Sequence, residues 1–135
     1  MRLWHKDLIP CLPHQQLLGQ WRELCLIAKN IAEKGTPNHV LVNRCADYPL
    51  SHLTAYAAMV SNEMKKRGWR CNWTNFSFYI DDESFMLDAD TLFADWHTDR
   101  YLRQCLYNLQ EKADCGAVPP EEWKRIENHF KEYLK

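Results

Sequence analysis

The chain is 135 residues long, 46% apolar and 26% charged, with a formal net charge of −1. That length suits one domain, and at this size folding buries roughly 65–70% of the unfolded chain's surface without help from a metal or a disulfide. No apolar run approaches the ~18–20 residues that cross a bilayer, and the charged, proline-bearing residues 1–16 lack a signal peptide's apolar stretch, so a cytoplasmic protein is expected.

Pro13 opens the first predicted helix, whose stripe of Leu17, Trp21, Leu24, Ala28 and Ile31 follows i, i+4, i+7 spacing. Gly35 stops it, and Thr36-Pro37 prevents continuation. A second helix is predicted from about Pro49 to Arg67, burying Leu53, Tyr56, Val60 and Met64. Lys65, Lys66 and Arg67 suit the negative end of its dipole, and Gly68 ends it. The next stretch is loop-rich, with a short strand expected at Phe76–Ile80 and an acidic cluster at Asp81-Asp82-Glu83. Thr98 caps a third helix carrying Leu102, Leu106, Leu109 and Ala113, with Gly116 beyond its end. Pro119-Pro120-Glu121-Glu122 opens a fourth, with Trp123, Ile126, Phe130 and Tyr133 on one face. Strand patterns do not recur. The predicted fold is all-α: a single compact domain over residues 1–135, of about four helices, with a loop-rich insert between the second and third.

Charge is unevenly distributed. Residues 1–72 hold ten Lys/Arg and five Asp/Glu, whereas residues 73–135 hold seven and thirteen. The basic half permits a polyanionic partner on one side. Six tryptophans and six tyrosines would suit base stacking beside those cations, although most are expected in the core. The six cysteines form no CxxC pair and no zinc-finger spacing, so reduced thiols acting as small apolar side chains are expected.

Nucleotide-binding and standard hydrolase signatures (GxGxxG, the P-loop, GxSxG, HExxH) are missing from the sequence. His97-Thr98-Asp99 offers two metal ligands, against the plainer reading of helix capping and surface hydrogen bonding; no metal is expected. The remaining feature is Arg22-Glu23 in the first helix. Gln15, Gly19 and Arg22 fall on one strip of that helix, and Gln16, Gln20 and Glu23 fall on the strip beside it. This polar pair of strips is either a solvated face or a site.

The opening Met1-Arg2-Leu3, the distance from there to Gln15, and the block Gln20-Trp21-Arg22-Glu23-Leu24 resemble the pyrimidine-dimer DNA glycosylases. So do Asn38-His39-Val40 and Lys65-Lys66-Arg67-Gly68-Trp69, with a weaker echo in Leu109-Gln110-Glu111-Lys112. The chain looks most like short bacterial members that begin MRLW. The resemblance implies a DNA repair glycosylase with abasic-site lyase activity, whose nucleophile is the chain's α-amine. With Arg at position 2 that amine is expected on Met1, since initiator methionine is normally retained there. Glu23 matches the family's carboxylate, and Arg2 and Arg22 match its phosphate-holding arginines. Gln15 matches a helix-start glutamine near the opened duplex. The basic face is expected to gather Lys65, Lys66, Arg67 and Lys112 with these arginines around the N-terminus, and the acidic stretch Asp81–Asp90 elsewhere. The implied partner is double-stranded damaged DNA, met by a monomer with no cofactor and no membrane.

The chemistry suits the choice of nucleophile. An α-amine titrates near 7.7–8.0 and a lysine near 10.4, so at pH 7 roughly a tenth of the former is neutral and reactive. Two other readings compete: a helical binding module that kept the fold and basic face without catalysis, and a metal-dependent hydrolase built on His97 and Asp99.

Overall fold

A computed structural model of the chain describes residues 1–82 and 87–134. After an extended opening, residues 1–5, a 3-10 helix spans Lys6–Cys11 and α1 spans His14–Lys34. A second 3-10 helix, Asn43–Asp47, leads into α2, Leu50–Lys66. Then come the single turn α3 (Thr74–Ser77), α4 (Asp99–Asp114), α5 (Pro120–His129) and a last 3-10 helix, Lys131–Tyr133. Among the described residues there is no strand, and no helix is long and apolar enough to cross a membrane.

The four predicted helices form where their apolar stripes lie. In α1, Leu17, Trp21, Leu24 and Ala28 are buried, and Gly35 ends the helix at φ 74°, its N–H donating to Ile31 O. In α4 the Thr98 hydroxyl accepts from Tyr101 N–H, and Leu102, Cys105, Leu106 and Leu109 face the core. Pro13 gives α1 no side-chain cap, so its first N–H groups need an outside acceptor. Glu122 of α5 supplies it: its buried Oε1 accepts from His14 N–H at 2.9 Å, at the positive end of the α1 dipole.

The strand expected at Phe76–Ile80 is instead helical turn. Ile80 N–H donates to Phe76 O at 3.3 Å, and both side chains are buried while Phe78 stands 81% exposed. Three apolar residues at every second position looked like alternation, but only the i, i+4 pair faces inward. Phe76 packs on Trp21 and Trp73, which seats α3 against α1. Glu83, the third acidic residue of the expected cluster, lies outside the described residues.

Arg67 ties the end of α2 to the start of α1. Its Nε donates to Glu63 at 2.8 Å, and its terminal nitrogens donate to Leu12 O (2.8 Å), Pro10 O (3.3 Å) and Ile9 O (3.4 Å). α2 therefore runs back along α1. The extended opening passes between α1, α2 and α4, and its Leu3 and Trp4 join the common core.

Candidate active site

An extended segment inside a helical protein has no neighbouring strand to satisfy its backbone. Here side chains do so. From α1, the Gln20 amide brackets Leu3: its Oε1 accepts from Trp4 N–H (2.8 Å) and its Nε2 donates to Arg2 O (2.8 Å). From α2, the Tyr56 hydroxyl lies 2.5 Å from Trp4 O and 2.9 Å from Gln20 Oε1. From α4, the Tyr101 hydroxyl donates to Leu3 O at 2.6 Å. Burial holds both phenols well above their ordinary range, so they remain neutral donors.

Glu23 is reached from the same segment. Arg2 N–H donates to Glu23 Oε2 at 3.3 Å, and Gln20 Nε2 lies 3.4 Å from the same oxygen. Among the described residues Oε1 takes no hydrogen bond. One residue of backbone spans at most about 3.6 Å, so the α-amine of Met1 lies within about 7 Å of the carboxylate. The two half-buried groups at the centre of the expected site therefore stand side by side.

The adjacent polar strips of α1 divide by burial. Gln20 is fully buried and Glu23 half-buried against the opening segment, while Gln15 and Arg22 are exposed. Arg22 lines an open groove of about 370 Å³ with Trp21, Cys25, Lys29, Asn75 and Tyr79. The Arg2 guanidinium sits over the Trp4 ring, 5.4 Å from its centroid, and beside the Tyr101 hydroxyl and the Cys105 thiol. Lys65 and Lys66 are exposed at the end of α2. Among the described residues neither they nor Arg22 forms an ion pair.

Two cations of the expected basic face lie elsewhere. Arg67 turns its guanidinium inward to the carbonyls and carboxylate already named, which leaves it no fork for a phosphate. Lys112 is eleven residues beyond Tyr101 on α4, roughly 16 Å along the axis from the opening segment. The acidic stretch is also closer than expected. The half-buried Lys6 ammonium needs acceptors, and it takes Leu92 O (2.5 Å) and Ala89 O, drawing the end of that stretch against the 3-10 helix Lys6–Cys11.

His97 and Asp99 do not converge. His97 is buried, its Nδ1 accepts from Lys6 N–H at 2.9 Å, and its backbone oxygen meets His5 Nε2 at 3.1 Å. Burial pushes its imidazole down to about 2. Asp99 is exposed in the first turn of α4. Among the described residues no three His, Cys, Asp or Glu side chains are grouped to hold a metal ion. The thiols are all unpaired, and burial pushes Cys11 and Cys25 up to about 11 and Cys45 to about 12.

Sequence reasoning missed Gln20, Tyr56 and Tyr101 as parts of this site. The signal for Gln20 was its place three residues before Glu23 on the same strip of an otherwise apolar helix. Tyr56 and Tyr101 carried no signal beyond an aromatic on a helix face.

An all-helical domain here seats an extended chain start on a half-buried carboxylate, one residue along α1 from the exposed Arg22. Residues 1–75 match the pyrimidine dimer DNA glycosylase family, and the chain belongs to that family. The match spans the opening segment, α1 and α2 and ends inside α3, while α4 and α5 lie beyond it. No curated protein and no solved structure gives a match.

Proposed function

We propose that the protein excises a damaged base from double-stranded DNA and cleaves the strand at the resulting abasic site, using the Met1 α-amine and the Glu23 carboxylate. The observation that carries this is the 3.3 Å hydrogen bond from Arg2 N–H to Glu23 Oε2, which sets the start of the chain beside a carboxylate. The neutral amine attacks the sugar C1′, the glycosidic C1′–N bond breaks, and the base departs with the electron pair. The C1′–O4′ bond of that adduct then breaks, the ring oxygen takes up the proton shed by the amine nitrogen, and an imine remains at C1′. Glu23, held through Oε2, offers Oε1 to the developing positive charge at the sugar. It then removes a C2′ proton, and β-elimination breaks the C3′–O bond.

Arg22, Lys65 and Lys66 supply unpaired cations for the phosphate backbone, and Arg2 and Gln15 meet it nearer the lesion. Lys112 touches only flanking duplex, and Arg67 serves the fold.

Borohydride trapping on a duplex carrying one abasic site tests the proposal, because only an imine is reduced to a stable protein–DNA adduct. The expected adduct maps to the Met1 amine, and a form with residues added before Met1 traps orders of magnitude more slowly. Equal trapping by that extended form overturns the amine and moves the nucleophile to a lysine. Binding without any trapping identifies the chain as a non-catalytic binder.

A further inference from the structure

We infer that Gln20, backed by Tyr56, is a positioning residue that fixes the nucleophile and the carboxylate in one geometry. The inference rests on the amine reading above and concerns side chains which that reading does not require.

Gln20 is 0% exposed in the middle of α1, where an apolar residue would pack at no polar cost. Each half of its amide has a partner that fixes its direction. Trp4 N–H can only donate, so Oε1 must face it, and Arg2 O can only accept, so Nε2 must face that. Nε2 also approaches the Glu23 oxygen that Arg2 N–H holds. One rigid group thus sets the register of residues 2–4 on α1 and, through them, the distance from the amine to Glu23. Tyr56 closes the arrangement from the opposite helix, its hydroxyl shared between Trp4 O and Gln20 Oε1. A core glutamine that only filled space would not bracket one residue and reach the neighbouring carboxylate as well.

Gln20→Glu preserves volume and the accepting oxygen, but sets a second oxygen against Arg2 O and Glu23 where a donor belongs. The amine should then lose its register while the DNA-facing surface stays intact. With abasic duplex at saturation, single-turnover borohydride trapping should slow on the order of a hundredfold, since misplacement by about 1 Å has effects of that size. The dissociation constant for the same duplex should stay within roughly twofold, and acylation of the Met1 amine by a small water-soluble ester should be no slower than in the parent protein. Tyr56→Phe, which deletes one hydroxyl at constant shape, is the second variant and should slow trapping by roughly tenfold. Far-UV circular dichroism at the assay temperature verifies that each variant is folded.

Trapping within about twofold of the parent in both variants overturns the inference, as does a loss of affinity that matches the loss of rate. If the parent itself does not trap, the amine reading fails and this inference falls with it; the parent arm alone decides that case.

Discussion

The carboxylate of Glu23 has two oxygens in different circumstances. Oε2 meets Arg2 N–H and Gln20 Nε2, which fixes the group, while Oε1 takes no hydrogen bond among the described residues. Glu23→Gln keeps the shape and an accepting oxygen but removes the charge and the base. Strand cleavage should disappear, with duplex affinity unchanged in a fluorescence anisotropy titration; parallel loss of both would make Glu23 structural. His97 gives a second prediction at this scale. Burial holds its pKa near 2, against about 6.5 in an unfolded chain, so below pH 6.5 the unfolded state binds the extra proton. The contribution is intact above that pH and is lost as pH falls toward 2, at up to about 1.4 kcal/mol per pH unit. His97→Asn, whose side-chain oxygen can still accept from Lys6 N–H, should flatten the decline in melting temperature between pH 7 and pH 4. An unchanged decline would assign the acid sensitivity to other groups. In the sequence the residues of this site read as a polar strip on a helix. Which half of the strip faces inward was not legible, because the segment that covers it has no periodicity of its own.

Helices were the legible elements, and their ends most of all. Pro13, Gly35, Gly68, Thr98 and Pro120 bound α1, α2, α4 and α5 within a residue or two, since each acts through local geometry that needs no tertiary partner. The turn at Phe76 was misread because five residues hold both a period of two and an i, i+4 pair. Contacts between elements were beyond reach for the same reason: Glu122 looks like an ordinary first-turn acid of α5, yet it also caps α1. Glu122→Ala should cost about 1–2 kcal/mol, the usual loss of a helix cap, read as a lowered urea midpoint with unchanged slope. Arg67 belongs here as well. Because its guanidinium joins α2 to the turn before α1, Arg67→Ala should destabilise the fold by roughly 1.5–3 kcal/mol, whereas Lys65→Ala and Lys66→Ala should leave it unmoved.

Over the whole molecule the basic and acidic halves of the sequence do not become two opposed faces. Lys6 pulls the end of the acidic stretch onto the basic opening, and Lys112 sits far along α4, so the cations left for DNA are fewer than composition implies. With Arg2, Arg22, Lys65 and Lys66 as the phosphate contacts, the logarithm of affinity should fall against the logarithm of salt with a slope of roughly −3 to −4. The double variant Lys65→Ala, Lys66→Ala should bring that slope near −2, and an unchanged slope would place the duplex on another surface. The family match ends at residue 75, yet the fold does not divide there: α4 supplies Tyr101 to the opening segment, and α5 supplies the cap of α1.

Those cross-chain ties carry a consequence for the order of assembly. The partners of residues 3–6 include Tyr101 and His97, more than ninety positions later in the chain. Residues 1–6 therefore leave the ribosome long before two of the groups that seat them, and α1 and α2 can pair while the opening is held by Gln20, Glu23 and Tyr56 alone. Contacts so distant in sequence form slowly. In refolding from denaturant, helical signal should accordingly return ahead of competence to trap abasic DNA.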